Sequence, residues 1–244
     1  LHTAYRRQRQ MCIRDRGNTY DVWWKKGEET DDDMARDHQE SWQRIIQMLD
    51  PVHIKGQTIL DFGCNQGGFL RQLYQTHEFD KGVGIDLAYN SLEKANTLKE
   101  QRPLEYYLTD KPQTTGYKFD TAISTSVLYL IEDVPQHARD LKAVLKEKGV
   151  YYATFADHTN NPSRYFMKET IDKYGATPSQ DHSLKHIVDS FVAEGFEVAV
   201  IKESVPDVIN LTNYSDFYLS PNDYLRTLFE ESFLIKATLK EGTK

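Results

Sequence analysis

Cysteine is nearly absent: Cys12 and Cys64 are the only two in 244 residues. Two thiols cannot build a disulfide framework, so a packed core must hold the fold, and the usage suits a reducing cytoplasm. Long apolar runs are also missing. None approaches the ~18 residues of a membrane span, and no apolar stretch near the start reads as a secretory signal. Clustered Cys and His ligands are lacking, so no metal site is expected. With 13 Gly and 8 Pro, the chain holds too little of either for a low-complexity or fibrous protein. Positive charge is in deficit: 30 Lys and Arg face 37 Asp and Glu, a net charge of -7. The deficit deepens past residue 16, because Arg6, Arg7, Arg9, Arg14 and Arg16 precede it with Asp15 alone against them. An acidic body attracts phosphate backbones poorly, which argues against nucleic acid as a partner.

What remains is a chain long enough to bury a full core, with room for one domain and additions. Residues 1–16 follow neither a helical nor a strand period. Their text, ending in MCIRDR, resembles translated sequencing-adapter sequence, so they are set aside as a non-native or disordered arm. Residues 17–55 read as an N-terminal helical cap. Asp31, Asp32 and Asp33 supply a cap and negative charge at a helix start, and Met34, His38, Trp42, Ile45 and Leu49 recur along one helical face before Pro51. Residues 56–244 read as the main domain, with a lid insertion at about 204–232. Strands are expected over 58–62, 82–86, 104–109, 119–125, 150–155, 196–201 and 233–239. Helical faces fall between them, including Val134 to Leu145, stopped by Gly149, and Leu184 to Val192, stopped by Gly195. This alternation predicts an α/β fold whose parallel sheet is covered by helices on both faces.

In such sheets ligands bind beyond the carboxyl ends of the strands, beside the first strand. The text there runs from Ile59 to Phe69, ILDFGCNQGGF. A nucleoside triphosphate loop needs Gly-Lys-Ser/Thr, but Phe69 follows Gly68. A dinucleotide loop needs three glycines, and Asn65 stands at the middle one. Asp61 would also repel a pyrophosphate. S-adenosylmethionine is a cation without phosphate, so an acidic residue at the strand end becomes favourable. Glycines let backbone approach a ligand closely, and Asn65 tolerates positive φ better than most residues. An ordinary strand–turn–helix corner is the plain alternative.

Leu60 to Gly67, LDFGCNQG, resembles the first motif of the class I S-adenosylmethionine-dependent methyltransferases. The resemblance extends over roughly residues 45–203. It implies a Rossmann-like, seven-stranded, mostly parallel sheet whose last strand is antiparallel. Asp86 ends the second strand 25 residues after Asp61, where a carboxylate can accept hydrogen bonds from a ribose diol. Leu87 resembles the residue that packs on adenine, and Asp110 the acid that reaches its amino group. Residues 119–130 resemble the family's fourth-strand motif, in which backbone near Ser124 faces the methionine part. The expected cofactor-binding set is therefore Asp61, Gly63, Cys64, Asn65, Gly67, Asp86, Leu87, Asp110 and Ser124.

Methyl transfer is an in-line displacement that positioning alone can promote, and a base is needed only if the nucleophile must lose a proton. The cofactor motif therefore leaves the acceptor open. Tyr20, Trp23 and Trp24 are expected either to close over the cofactor, with Tyr20 and Trp24 as candidate substrate contacts, or to pack on the core. Tyr129 stands where many relatives carry His and is a candidate wall residue or acid/base. Asp157 and His158 follow the fifth strand and are read as a base pair or a loop hydrogen bond. Tyr214, Phe217 and Tyr218 lie on the lid insertion, with Tyr214 and Tyr218 candidate substrate contacts. The expectation is a methyltransferase acting in the cytoplasm on a quinone-like, phenolic or carboxylic small molecule. An RNA or protein methyltransferase is the alternative, since Asn65 after Gly63-Cys64 also occurs in RNA-modifying relatives. A non-catalytic cofactor-fold protein is a third reading.

Overall fold

The computed structural model describes residues 19–242; the arm expected at 1–16 lies outside them. Among the described residues one sheet contains β1 (Thr58–Phe62), β2 (Lys81–Asp86), β3 (Leu104–Leu108), β4 (Phe119–Ser124), β5 (Leu145–Ala156), β6 (Phe196–Lys202) and β7 (Ser232–Leu239). Their order is β3-β2-β1-β4-β5-β7-β6. The first five strands pair in parallel, and β7 slips antiparallel between β5 and β6. Parallel neighbours need crossover segments, which the helices supply, whereas β7 returns beside β6 without one.

The helices are α1 (Asp31–Asp37), α2 (Gln39–Met48), α3 (Gly68–Thr76), α4 (Tyr89–Leu98), α5 (Val134–Val144), α6 (Arg164–Tyr174), α7 (Leu184–Ala193) and α8 (Pro221–Arg226). Successive strand residues point to opposite faces. Leu60, Val83 and Tyr151 accordingly pack with Leu141 of α5 and Phe191 of α7. Ile59, Ile123 and Tyr152 pack on the other face with Ile45 of α2 and Phe69 and Leu70 of α3.

Three local expectations change. The single face from Met34 to Leu49 is delivered by two helices that abut at His38. Gly149 does not stop α5; the chain turns extended at Leu145, and Gly149 lies inside β5. Helix α6 had no expectation behind it, because its one buried residue, Met167, leaves no periodic signal. The strands fall within a residue or two of their expected bounds, apart from the longer start of β5.

Candidate functional site

The carboxyl ends of β1, β2 and β4 open into a cleft of about 1510 Å³. A pocket for one drug-sized ligand holds roughly 300–1,000 Å³, so this cleft has room for two. Asp61 is buried at its floor, and its Oδ2 has no hydrogen-bond partner. Burial, and then the charge of Asp86, push its carboxyl up to about 8. An orphaned acid here fits a cationic group, which would both partner it and favour its ionised form. Gly63 follows with φ +78°, and a Cβ on it would lie 2.5 Å from Val127. Its N–H and that of Cys64 donate to the Ile85 carbonyl at 2.8 and 3.0 Å. Asn65 does adopt positive φ, at +47°. Its N–H donates to Asp86 Oδ2 at 2.7 Å, while its own Oδ1 accepts from the Gln66 N–H at 2.7 Å. The Ala88 N–H donates to Asp86 Oδ1 at 2.8 Å, so Asp86 ties the loops after β1 and β2 together. Asp86 is only partly exposed, at the cleft wall. Burial pushes its carboxyl up to about 6, against the pull of the hydrogen bonds from Ala88 and Asn65.

Asp61, Gly63, Cys64, Asn65, Asp86, Leu87 and Asp110 thus share one cleft. Gly67 and Ser124 are not on its wall. Gly67 precedes α3 in a left-handed conformation, φ +68°, and the Tyr106 ring packs where a Cβ would stand. Its glycine serves the turn and that packing. Ser124 is buried with its hydroxyl bonded to the Tyr151 hydroxyl, and Thr125, Ser126 and Val127 line the cleft instead.

The N-terminal lead-in forms a strap over the opening. Tyr20 N–H donates to Leu87 O at 3.1 Å, and Tyr89 N–H to Tyr20 O at 2.8 Å. Farther along, Lys25 N–H donates to Tyr174 O at 3.0 Å, and Ala176 N–H to Trp23 O at 2.8 Å. Tyr20, Trp23 and Trp24 all line the cleft. Burial, then the Asp86 charge, push the Tyr20 phenol up. Asp31 fastens the strap: fully buried, it accepts the N–H groups of Trp23 and Trp24 at 3.1 and 2.8 Å and the Ser91 hydroxyl at 2.5 Å. The helix cap expected of it falls to Thr30, in a reciprocal pair with Asp33. Trp24 sits 6.1 Å from Phe217, ring centre to ring centre. Phe217 and Tyr218 line the cleft; Tyr214 does not, and its carbonyl instead accepts the N–H groups of Phe217 and Tyr218.

Of the candidate acid/base groups, Tyr129 lines the cleft, but burial pushes its phenol up, which leaves it a poor base. Asp157 is off the cleft wall. Its Oδ1 accepts the Thr159 N–H at 3.1 Å and its Oδ2 the Leu184 N–H at 2.8 Å. Burial raises its carboxyl, yet the bonds from Thr159 and Leu184 together outweigh burial and leave it lowered. It is a loop and helix-start residue rather than the partner of its neighbour. His158 does line the cleft, and its Nδ1 lies 3.1 Å from Glu231 Oε2. No local signal reveals Glu231, which stands 73 residues away in the chain. No three His, Cys, Asp or Glu side chains among the described residues gather as metal ligands. No helix among them is long and apolar enough to cross a membrane.

A family model described as a methyltransferase domain matches residues 34–201, more than half of the chain. The tRNA U34 carboxymethyltransferase of Campylobacter jejuni is 30% identical over 141 residues, covering 53% of this chain and 46% of that protein. The malonyl-[acyl-carrier protein] O-methyltransferase of Halorhodospira halophila is 26% identical over 203 residues, covering 81% of this chain and 65% of that protein. The chain thus spans about half to just under two thirds of the length of these curated relatives. Among solved structures, an S-adenosylmethionine-dependent methyltransferase from Mesorhizobium loti superposes with a TM-score of 0.64 at 19% identity, over 83% of this chain and 99% of that one. With the match across most of the sheet, the chain belongs to the methyltransferase-domain family, and its sheet order and acidic, cation-fitting floor accord with the class I S-adenosylmethionine-dependent type.

Proposed function

We propose that the protein methylates a small, uncharged or cationic acceptor held in the cleft beneath the strap. The cofactor, when bound, supplies an electrophilic methyl group on a positively charged sulfur. In this reading Asp61 receives the cofactor's ammonium end, and the turn at residues 63–65 lets backbone approach closely. Asp86 receives the ribose diol: each of its oxygens accepts one N–H and keeps capacity for another bond. Leu87 and Asp110 flank the adenine. Tyr20, Trp24, Tyr129 and Tyr218 form the acceptor side.

The charge of the cleft wall carries the acceptor reading. Twelve Asp and Glu side chains line it against five Lys and Arg, and each of the five is already paired. Lys26 sits 3.3 Å from Asp216, Arg36 2.8 Å from Asp33, Lys111 3.7 Å from Asp140 and Lys168 2.8 Å from Asp172. Arg164 Nε donates to Asp181 at 2.6 Å. Phosphate backbones are bound through cations that shed counterions to them. A tRNA, or an acceptor that itself carries a carboxylate, would have to break one of these pairs. The names of the relatives favour a second reading, an acceptor borne on tRNA or an acyl carrier; the paired cations weigh against it. S-adenosylmethionine with a labelled methyl group, offered in parallel with a metabolite extract, bulk tRNA and acyl-carrier protein, tests the choice. Label is expected in neutral or basic small products. Label in tRNA or carrier protein alone would overturn the reading.

A further inference from the structure

We propose that His158, held by Glu231, is the proton acceptor of the reaction, so that the nucleophile is an O–H or N–H group. This rests on the small-acceptor reading. His158 directly follows β5 and Asp157, and its ring lines the cleft. Its Nδ1 faces Glu231 Oε2 at 3.1 Å. A carboxylate at Nδ1 favours the tautomer with its proton there and leaves the lone pair on Nε2. Nε2 has no protein partner among the described residues.

Glu231 is itself held in place. It is 7% exposed, and its Oε2 also accepts from Asn161 Nδ2 at 2.9 Å and Thr227 Oγ1 at 3.1 Å. Arg226 Nε lies 3.1 Å from its other oxygen. Asn161 is itself buried and anchored on the Asp223 carbonyl at 3.1 Å. Glu231 closes a π-helical turn, Thr227–Glu231, a rare backbone form that recurs at functional sites. Of the other acid/base candidates read in the sequence, Asp157 already accepts from backbone and hydroxyl donors, and burial holds the Tyr129 phenol in its neutral form.

The acceptor's O–H or N–H bond breaks and its proton moves to His158 Nε2. The freed pair forms the bond to the methyl carbon, and the carbon–sulfur bond breaks with its pair left on sulfur. The charged groups around the imidazole are Asp157 beside it, Glu231, Arg226 and Asp223 from the far side, and Arg164 of α6, whose guanidinium bonds the Thr159 carbonyl.

Diethyl pyrocarbonate, which acylates neutral imidazole, probes the cofactor-free full chain. Peptide mass spectrometry separates His158 from His38, His137 and His182, which also line the cleft. His158 should be modified. Glu231→Gln should change the rate of its modification at fixed pH severalfold, because the amide no longer fixes the ring's tautomer and orientation. With the acceptor recovered from the metabolite extract, His158→Gln should lower turnover about a hundredfold or more while leaving cofactor affinity unchanged. Glu231→Gln should lower kcat less, with KM for the acceptor unchanged. An inert His158, a modification rate indifferent to Glu231→Gln, or wild-type turnover by His158→Gln would overturn the proposal. Should Glu231→Gln fail to fold, His158→Gln decides alone, since it alters a partly exposed side chain. Label found only in tRNA or carrier protein would defeat the small-acceptor reading, while the modification rates still judge the His158–Glu231 pair.

Discussion

Asp61→Asn is expected to make the ligand-free protein more stable and the cofactor complex weaker. An unfolded aspartate ionises near pH 4, whereas the folded carboxyl, buried beside Asp86, holds its proton up to about 8. A group whose folded value is raised lends its full stability below the unfolded value and loses it as pH climbs through the folded one. Each pH unit in that window removes about 1.4 kcal/mol, so at pH 7 the wild-type chain has given up roughly 4 kcal/mol at most. Asn is neutral throughout and escapes that loss. Asp86, raised to about 6, adds its own slope to both proteins at lower pH. The interval from pH 6 to 8 therefore isolates Asp61. Binding should show the mirror image. A cation at Oδ2 favours the ionised acid, so wild-type affinity for S-adenosylmethionine should rise up to about tenfold per unit over that interval, with proton release. Denaturant titrations at pH 6, 7 and 8 measure the first effect. Calorimetry in buffers of different ionisation heat measures the second. A variant whose advantage over wild type is the same at pH 6 and 8, together with binding that releases no proton, would show that Asp61 is not the group that titrates there.

Asp86→Ala should weaken cofactor binding by roughly 1.5–3 kcal/mol by calorimetry. It should also lower the melting temperature, because the Asn65 and Ala88 N–H groups lose their acceptor. Gly63→Ala should destabilise the fold by about 1–3 kcal/mol in chemical denaturation, since it forces a Cβ against Val127 at φ +78°. Asp31→Ala leaves the Trp23 and Trp24 backbone donors and the Ser91 hydroxyl without an acceptor. Limited proteolysis should then cut the strap around Tyr20 to Lys26 faster than in wild type, and resistance equal to wild type would show that Asp31 does not hold it.

The features legible in the residues alone are local. Thr58 to Phe62 is an apolar run ending in an acid and a glycine turn, and it folds as β1 with Asp61 at the cleft floor because each feature acts within a few residues. Asp86 was legible for the same reason, as the acid at the end of the next strand. The strap was half legible: Tyr20, Trp23 and Trp24 are large apolar surfaces that need burial, but their chemistry does not say where. The tertiary structure supplied that answer through Asp31, whose buried carboxylate reaches back to the Trp23 and Trp24 N–H groups, and through Leu87, whose carbonyl accepts that of Tyr20. It also withdrew Ser124 and Gly67 from the cleft, since Tyr151 and Tyr106, distant in the chain, claim the space beside them. Asp157 and His158 stand side by side in the chain, yet their side chains part. One is consumed by backbone donors, and the other meets Glu231 only because antiparallel β7 pairs Ser232 with Ala156 and so brings the turn before it beside the end of β5. Strand periodicity and turn chemistry are written in neighbouring residues. Which side chain faces which across a sheet is decided by register and crossover, and those exist only once the chain has folded.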